Sequence, residues 1–210
     1  MMGKLILARH HEYAWNKLGK WTGLYDAHLT DYGVEKSNDM GLLVKDLKVD
    51  CAFSSTLIRS IETLNCMLNT CERHEVPTEH NAALNERDYG DYTGKDKWEM
   101  KKLLGEEKFN DIRRSWDCPI PCGETLKMVY DRAVPYYLNT ILPKVKEGKN
   151  VLVAAHGNSL RAITKYIENI SDEGIADVEF PFGAIVIYDL DTAGHMVHKE
   201  VRQTESKVNA

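Results

Sequence analysis

The sequence predicts an α/β protein with three layers, in which helices cover both faces of a mostly parallel central sheet. Short apolar runs typical of buried strands alternate along the chain with segments that are typical of helices. Two of these runs, L-I-L-A-R-H and V-L-V-A-A-H-G-N-S, lead into His10 and His156. Because ligands bind at the carboxyl ends of parallel strands, we expect these two histidines to face one crevice.

The remaining elements follow in chain order. Thr30 is predicted to cap a helix that runs to about residue 47, and Thr56 or Leu57 to begin a helix that continues through residue 72. A helix over residues 124–141 is expected to break near Pro135. Prolines at 119 and 121 predict an extended loop over residues 116–122. The strand candidates are residues 4–8, 51–54, a short segment near 80–83, 150–155 and 184–190.

One domain is predicted for residues 1–193, followed by a polar and mobile tail over residues 194–210. The chain has 210 residues, of which 43% are hydrophobic, and this is enough for one core. Its formal net charge of −5 excludes a protein that is basic overall, as nucleic-acid binders are. An anionic substrate would therefore need a local cluster of cations within an acidic surface.

Cysteine usage and hydropathy indicate a cytoplasmic protein. The five cysteines include no C-x-x-C pair, so neither a disulfide framework nor a zinc site is predicted. The first ten residues are too short and too charged for a signal peptide, and no apolar run approaches the length of a membrane span. A reducing cytosol is the expected compartment.

The two histidines point to phosphoryl transfer. A neutral imidazole is a good nucleophile near pH 7 and can carry a phosphoryl group. Arg9 precedes the first histidine and offers a planar fork of donors to phosphate oxygens. The second histidine would stabilise charge on the transferring group. The alternative is that A-H-G-N-S is only a turn, in which Asn158 or Ser159 caps the next helix.

Other charged and polar side chains would have to converge on the same site. Glu86 is a candidate for moving a proton to and from a substrate oxygen, although a glutamate in a charged loop is more often only solvated. The cations near residues 97 and 113 could equally form an exposed basic helix face. The candidates are Arg59, Glu86, Arg87, Tyr89, Lys97, Arg113 and Arg114.

Six motifs occur in a fixed order along the chain and together make a chance match unlikely. On these motifs the chain, from residue 4 to about residue 191, resembles the 2,3-bisphosphoglycerate-dependent phosphoglycerate mutases of the histidine phosphatase superfamily. The motifs are R-H-x-E-x-A-W-N at 9–16, T-G-x-x-D-x-x-L-T at 22–30, L-N-E-R-x-Y-G at 84–90, R-R-S-W-D at 113–117, G-E-T-L at 123–126 and A-A-H-G-N-S-L-R at 154–161.

The resemblance implies roles for the candidate residues. His10 would become a phosphohistidine, Glu86 would exchange a proton with the substrate hydroxyl, and His156 would assist the transfer. The phosphoryl group would be held by Arg9, Arg59, Asn16 and the backbone of Gly157 and Asn158. The carboxylate and phosphate of the glycerate would be held by Thr22, Gly23, Arg87, Tyr89, Lys97, Arg113 and Arg114.

The resemblance also implies an activity, the interconversion of 3-phosphoglycerate and 2-phosphoglycerate in glycolysis and gluconeogenesis. It implies that 2,3-bisphosphoglycerate primes the enzyme, that no metal ion takes part, and that the partners are small phosphoglycerates rather than nucleic acid or membrane. A homodimer is left open. The tail of such proteins can fold over the site, which would bring Lys199, Arg202 or Lys207 to the ligand.

Two departures from the family pattern R-H-G-x-S-x-W-N stand in the first loop, where His11 replaces glycine and Tyr13 replaces serine. A positive φ at His11 would cost about 1 to 3 kcal/mol, and Tyr13 would either narrow the pocket or replace the serine hydroxyl. We expect phosphohistidine chemistry with an altered balance of mutase, synthase and phosphatase activities. A bisphosphoglycerate or broad-specificity phosphatase and a non-catalytic phospholigand-binding protein are the alternatives.

Overall fold

A computed structural model describes residues 3–204 and places a six-stranded sheet at the centre of the fold, in the order β3-β2-β4-β1-β5-β6. The four strands β1 to β4 pair in parallel, whereas β5 and β6 run antiparallel to their neighbours. The predicted three-layer α/β fold with a mostly parallel sheet is confirmed. The strands are β1 (Gly3–Arg9), β2 (Cys51–Ser54), β3 (Thr78–His80), β4 (Val151–Ala155), β5 (Ala184–Leu190) and β6 (Met196–Gln203).

Helices cover both faces of this sheet. The helices α2 and α3 pack on one face, and α6, α7 and α8 pack on the other. Within residues 3–204, no helix is both long and apolar enough to cross a membrane. The helices are α1 (Ala14–Lys17), α2 (Asp31–Leu43), α3 (Ile58–Thr70), α4 (Lys97–Leu104), α5 (Glu106–Arg114), α6 (Leu126–Tyr136), α7 (Leu142–Lys146) and α8 (Gly157–Ile167).

The alternation of side chains along β1 builds both core layers at once. Leu5 and Leu7 belong to the cluster under α6, α7 and α8, whereas Ile6 and Ala8 belong to the cluster under α2 and α3. Successive side chains of a strand point to opposite faces, so a strand buried on both sides must be apolar throughout. This is why the two histidine-terminated runs read as continuous apolar segments.

The predicted helix starts are confirmed to within two residues. Thr30 Oγ1 accepts a hydrogen bond from the N–H of Gly33 at 3.0 Å and begins α2, which ends at Leu43, before the predicted residue 47. Thr125 caps α6 by accepting from the N–H of Met128 at 3.2 Å. Beyond Pro135 the chain stays helical through a π-helical turn over Tyr137–Ile141 rather than breaking.

The third strand lies slightly before its predicted position. It ends at His80, and Ala82–Leu84 forms a 3₁₀ turn. Asn81 Oδ1 accepts a hydrogen bond from the N–H of Ala83 at 2.9 Å, and this cap turns the chain out of the strand. The predicted strand over residues 80–83 is therefore wrong by about two residues.

The prediction of a mobile tail from residue 194 is wrong for Met196–Gln203. These residues form β6, which pairs antiparallel with β5 along its length. The strand lies at the edge of the sheet, where most of its side chains are exposed, and its polar sequence is typical of an edge strand as much as of a tail.

Two of the three basic residues expected to reach the ligand through the tail have other surroundings. Lys199 Nζ lies 2.7 Å from Glu168 Oε1, and Arg202 Nη1 lies 2.6 Å from Asp46 Oδ1. Neither residue lines the pocket described below. Lys207 lies outside the described residues.

A separate apolar cluster supports the segment that follows β3. Trp21, Phe109, Ile112 and Ile120 pack together, apart from the two clusters that flank the sheet. Phe109 and Ile112 lie on α5, so the cluster fixes the end of that helix beside the carboxyl ends of the central strands. The loop over residues 116–122 is not helical, as predicted, but it bends at residues 116–117 and forms a turn at 121–122 instead of being extended throughout.

Candidate active site

The two predicted histidines follow neighbouring strands and face one another, as expected. In the parallel pair of β1 and β4, Arg9 is opposite Ala155, and the N–H of His10 donates to the carbonyl of Ala155 at 3.1 Å. The ring centroids of His10 and His156 lie 4.8 Å apart with the planes tilted by 57°. The sheet backbone itself therefore sets the separation of the two imidazoles.

His10 presents an unprotonated nitrogen to the site. Its Nδ1 lies 2.9 Å from the carbonyl oxygen of His11, and this contact requires the proton to be on Nδ1. Burial, followed by the charges of Arg59 and Arg9, lowers the pKa of His10 well below 6.5. At neutral pH the ring is uncharged and Nε2 carries a free lone pair, which is the form a nucleophile needs.

His156 presents an N–H to the same space. Its Nε2 lies 2.7 Å from Ser55 Oγ, which already accepts the N–H of Leu57 at 3.2 Å. Nε2 is the only acceptor within hydrogen-bond distance of this hydroxyl among residues 3–204, so we assign the hydroxyl as the donor and the proton of His156 to Nδ1, which has no hydrogen-bond partner within the same residues. Burial, then the charge of Arg59, lowers the pKa of His156 well below 6.5, so it acts as a neutral donor.

Glu86 completes a buried trio with the two histidines. One carboxylate oxygen of Glu86 and one nitrogen from each ring all lie within 4.8 Å of one another. Glu86 Oε1 accepts the backbone N–H of Arg87 and the side-chain amide of Asn158, each at 2.8 Å. These bonds hold the carboxylate beside the nucleophile, within reach of a proton on a bound substrate.

In the described part of the chain this trio also has the donor types that could hold a metal ion. Arg9 and Arg59 are close enough for their charges to lower the pKa of His10. Two guanidinium groups beside the trio oppose a dication and favour an anion. The donor set thus fits a phosphoryl group better than a metal.

Helix α8 begins directly after His156 and adds anion-binding donors. The N–H of His156 donates to Ser159 Oγ at 3.2 Å, so the capping expected of the turn alternative occurs together with the functional arrangement. A Cβ on Gly157 would lie 3.5 Å from Cζ of Arg9, an ordinary contact. The N–H of Asn158 donates to Glu86 Oε1 at 3.3 Å, which leaves the N–H of Gly157 and the positive end of the helix dipole to favour an anion at this point.

A polar pocket of about 290 Å³ opens beside the trio. Ten of the fifteen residues predicted for the site belong to its lining, so the cations near residues 97 and 113 face a pocket rather than only solvent. These ten are Arg9, Thr22, Gly23, Glu86, Tyr89, Lys97, Arg113, Arg114, Gly157 and Asn158.

Four further predicted residues, His10, His156, Arg59 and Arg87, are buried behind the lining. Arg59 donates from Nη1 to the carbonyl of Tyr25 and from Nη2 to that of Gly23, both at 2.9 Å. Arg87 donates from Nη2 to the carbonyl of Ile112 at 2.7 Å. These two arginines thus order the loops around the pocket.

Asn16 is the one predicted residue that the structure places elsewhere. Its Oδ1 accepts the N–H of Tyr13 at 2.9 Å, at the beginning of α1. The side chain lines a second cavity of about 340 Å³, beside His11 and Lys17. This bond uses only the amide oxygen, and Arg9 lines the same cavity, so the contact between the Asn16 amide N–H and a phosphoryl group stays a prediction.

Several buried donors around the trio have no partner within residues 3–204. They include Nε of Arg9, Nε of Arg59, and Nε and Nη1 of Arg87. Buried polar groups are normally hydrogen-bonded, so a group of unused donors around one space indicates a missing acceptor. A ligand rich in phosphate and carboxylate oxygens fits this donor set.

The cations of the lining also act on one another. Burial, followed by the charges of Arg113 and Arg9, lowers the pKa of Lys97 to about 8. Burial and the neighbouring charge of Arg114 lower the pKa of Arg113. A bound anion would relieve this repulsion.

Sequence reasoning missed Arg161 as a site residue, although the residue ends the A-A-H-G-N-S-L-R motif. It lines the pocket and donates to the carbonyls of Arg114 and Ile175, each at 2.7 Å. It also donates to Asn158 Oδ1 at 3.0 Å, three residues earlier on α8. Arg161 thereby joins the end of α5 to the helix that follows His156.

The segment E-F-P-F at 179–182 was also missed, and nothing in its sequence indicates a function. Phe182 stacks on the guanidinium of Arg9, with Cζ 3.7 Å from the ring centroid. Glu179 forms an ion pair with Arg114. Together the four residues form one wall of the pocket.

The two departures in the first loop have different outcomes. His11 keeps a negative φ, so the strain expected of replacing glycine is absent. Its Nδ1 accepts the N–H of Glu12 at 2.8 Å, and its ring packs edge-on to Tyr32. Tyr13 lines the pocket, and its hydroxyl donates to Thr22 Oγ1 at 2.8 Å.

Comparison with known proteins gives consistent matches over almost the whole chain. Residues 5–201 match the model of the histidine phosphatase superfamily, branch 1. A 2,3-bisphosphoglycerate-dependent phosphoglycerate mutase of Parvibaculum lavamentivorans is 40% identical, with 96% of this chain and 97% of that protein covered. A protein of the same name from Rhodopseudomonas palustris is 44% identical, with 93% and 95% covered.

Solved structures share the fold at low sequence identity. YhfR of Bacillus stearothermophilus superposes with a TM-score of 0.82 at 23% identity, with 97% of this chain and 98% of that chain covered. A mycobacterial glucosyl-3-phosphoglycerate phosphatase superposes with a TM-score of 0.79 at 15% identity, with 99% and 100% covered. These two likenesses describe the fold alone.

Proposed function

The chain belongs to branch 1 of the histidine phosphatase superfamily, and from this premise we propose that it is a 2,3-bisphosphoglycerate-dependent phosphoglycerate mutase. It interconverts 3-phosphoglycerate and 2-phosphoglycerate, a step of glycolysis and gluconeogenesis. The observation that carries the proposal is the pair formed by His10 and His156, a bare nitrogen facing an N–H beside a cation-lined pocket. Relatives of that name at about 40% identity over nearly the full length support it.

His10 is the proposed nucleophile. Its Nε2 forms a bond to phosphorus while the bond from phosphorus to the leaving oxygen breaks, giving a phosphohistidine. When bound, 2,3-bisphosphoglycerate supplies the phosphoryl group that primes this residue. The hydrogen bond from Nδ1 of His10 to the carbonyl of His11 holds the ring in orientation and stabilises the positive charge that develops on it.

The groups around His10 stabilise charge on the phosphoryl oxygens. His156 offers its Nδ1–H, Arg9 its unpartnered Nε–H, and helix α8 the N–H of Gly157. These donors are already in place and their sites are buried, so little reorganisation accompanies the transfer. Glu86 takes the proton of the attacking hydroxyl and returns it to the leaving oxygen.

The remaining lining residues bind the glycerate. Lys97, Arg113 and Arg114 supply the charges that hold its carboxylate and its second phosphate. The hydroxyls of Thr22 and Tyr89 and the backbone of Gly23 face the same pocket and serve as further hydrogen-bonding groups. We propose that Arg59 and Arg87, which are buried behind these lining residues, act by ordering the loops around the pocket.

The proposal is tested by phosphorylation and product analysis. The protein is incubated with 2,3-bisphosphoglycerate labelled with ³²P, desalted, and assayed for acid-labile label and for conversion of 3-phosphoglycerate to 2-phosphoglycerate. We expect label on the wild type, none on His10→Ala, and an isomerised monophosphate as the main product. Free phosphate as the main product would identify a phosphatase, and an unlabelled wild type would identify a binding protein.

We also propose a cytoplasmic location, supported by five cysteines that are all free thiols. That the enzyme works without a metal is likewise proposed, on the charge of Arg9 and Arg59 beside the trio. The homodimer stays a prediction.

A further inference from the structure

The motif G-E-T-L at 123–126 has no role in the proposed reaction, but its glutamate belongs to a largely buried network beside Glu86. Glu124 directly precedes Thr125, the cap of α6, and pairs with Arg132 on that helix. Nε of Arg132 donates to Oε1 of Glu124 and Nη2 donates to Oε2, both at 2.9 Å. The Glu124 and Arg132 side chains are 20% and 25% exposed. Such a two-point pair fixes the orientation of the guanidinium.

The remaining donors of Arg132 all point to the backbone that carries Glu86. Nη1 donates to the carbonyls of Ala83 and Asn85 at 2.8 and 3.0 Å, and Nη2 donates to the carbonyl of Glu86 at 3.0 Å. Together with the two bonds to Glu124, these contacts give an acceptor to each of the five N–H groups of the guanidinium. Arg132 therefore has no donor left for a ligand, and its contacts are to the protein itself.

Glu124 fixes the same loop on the other side of Glu86. Its Oε2 accepts the N–H of Asp88 at 2.9 Å, and its own N–H donates to the carbonyl of Asp88 at 2.9 Å. A Cβ on Gly123 would lie 2.8 Å from that carbonyl oxygen, so a side chain there would prevent the close approach. Burial raises the pKa of Glu124, but the hydrogen bonds from Arg132 and from the N–H of Asp88 outweigh this effect and lower the pKa below its ordinary value. Glu124 is therefore charged at neutral pH.

We propose that Arg132 and Glu124 act together as a positioning pair for Glu86, an inference that rests on the proposed function. The pair holds the backbone on both sides of Glu86, at residues 83–86 and at residue 88. Neither member belongs to the lining of the pocket, so the pair acts on the reaction through the placement of the carboxyl group.

Glu86 needs this support because proton transfer depends on geometry. When His10 is phosphorylated, its Nε2 bonds to phosphorus, and the bond from phosphorus to the leaving oxygen breaks. The leaving oxygen keeps the electron pair and takes a proton from the carboxyl group of Glu86, which becomes a carboxylate. This transfer requires the two oxygens to lie about 2.6 to 3.2 Å apart. A displacement of about 1 Å costs such a reaction up to about a hundredfold in rate.

The test asks whether the pair acts through Glu86. Arg132→Lys and Glu124→Gln are made in the wild type and again in Glu86→Gln, which has no carboxyl group left to position. Each protein is mixed with saturating 2,3-bisphosphoglycerate labelled with ³²P, and acid-labile label on His10 is followed in a single turnover. The measured quantity is the rate of labelling, and slow variants are sampled over hours.

The two substitutions disturb the pair in different ways. Arg132→Lys keeps the positive charge but not the planar fork of donors, so its effect reports the hydrogen bonds rather than the charge. Glu124→Gln keeps the size of the side chain, loses its charge, and serves as the second variant in case the first does not fold. Arg73→Lys is the matched control, since Arg73 also donates to backbone carbonyls but lies away from the pocket.

Beside an intact Glu86, we expect Arg132→Lys and Glu124→Gln to lower the labelling rate about tenfold or more. In the Glu86→Gln background the same changes should alter the rate by less than about twofold, because the effects of residues that act as a unit are not additive. The dissociation constant of inorganic phosphate, measured as protection against labelling, should also change by less than about twofold. Arg73→Lys should leave both quantities unchanged.

An equal loss of rate with and without the carboxyl group of Glu86 would overturn the positioning role, because the pair would then act on the site as a whole. A loss of phosphate affinity in parallel with the rate would overturn it for the same reason, and so would variants that keep the full labelling rate. In each of these cases the mutase assignment would stand on the label and the isomerised product of the wild type. If the wild type takes up no label, the proposed function fails and this inference fails with it.

Discussion

Ser55 Oγ lies 2.7 Å from Nε2 of His156 and fixes which nitrogen of that ring carries the proton. The serine stands three residues before the first residue of α3 and comes from the loop after β2, whereas His156 follows β4. Two neighbouring parallel strands thus supply a donor and the group that orients it. Such orienting contacts matter because a misdirected tautomer presents a lone pair where a donor is needed.

Ser55→Ala is therefore expected to lower kcat about tenfold or more, with a smaller effect on KM, because Nδ1 of His156 would no longer be fixed as a donor. Steady-state kinetics with 3-phosphoglycerate measure the effect. Ser54→Ala serves as the matched control, since its hydroxyl donates to the carbonyl of Ser55 rather than to the ring. Equal losses in the two variants would contradict the orienting role.

We expect the affinity for substrate to fall in alkaline solution because of Lys97. Its pKa is lowered to about 8, so the free enzyme loses this positive charge as the pH rises through that value. We expect KM for 3-phosphoglycerate to rise between about pH 7 and pH 9.5 in the wild type. In Lys97→Arg the guanidinium stays charged, and the rise should disappear. The measurement is KM across this range, and parallel curves for the two proteins would argue against Lys97 as the titrating group.

Removal of the Arg161 side chain is expected to weaken substrate binding, because this residue joins two helices. Arg161→Ala leaves the carbonyls of Arg114 and Ile175 without their donor, so the end of α5 should move. We expect KM to rise about tenfold and the protein to lose about 2 to 3 kcal/mol of stability.

Arg73 provides the control for Arg161, because it also donates to backbone carbonyls, those of Lys45 and Leu47, but lies away from the pocket. Arg73→Ala should lower stability in urea unfolding and leave KM unchanged. A rise in KM for both variants would show that loss of stability alone is responsible.

The burial of His11 is expected to make the folded protein less stable in acid. Burial lowers its pKa from 6.5 to about 4. Between these values the unfolded chain binds a proton at this position and the folded protein does not, so the free energy of unfolding must fall as the pH is lowered from about 6.5 to about 4. His10 and His156, whose pKa values are also lowered by burial, act in the same direction.

His11→Asn removes one of these three groups and keeps an acceptor for the N–H of Glu12. Urea unfolding at several pH values should then show a smaller loss of stability on acidification than in the wild type. An unchanged pH dependence would mean that the pKa of His11 does not differ between the folded and the unfolded protein.

The sequence predicted what depends on strand ends and on short local patterns. Both histidines follow apolar runs, and the parallel pairing of β1 and β4 brings them together without further conditions. The Thr30 cap depends on a local hydrogen bond and could be predicted equally well from the sequence. The placement of the cations at the site was predicted from the family resemblance. Composition and spacing alone would have left them as an exposed helix face.

What could not be predicted depends on contacts between distant segments. Phe182 lies on a loop without any pattern, and only the fold brings it to Arg9. The hydrogen bond from the N–H of Tyr13 to Oδ1 of Asn16 was also not predicted, because it depends on the backbone geometry at the beginning of α1. Met196–Gln203 lies at the edge of the sheet, where a strand needs no apolar face.

The separate packing of α4 and α5 has a consequence for how such proteins diversify. The imidazole pair is fixed by the ladder between β1 and β4, whereas Arg113 and Arg114 are carried by a layer with its own apolar centre around Trp21 and Phe109. Insertions or exchanges in that layer can reshape what the enzyme recognises while the reactive pair keeps its spacing. Reaction and selectivity can thus evolve at different rates within one polypeptide.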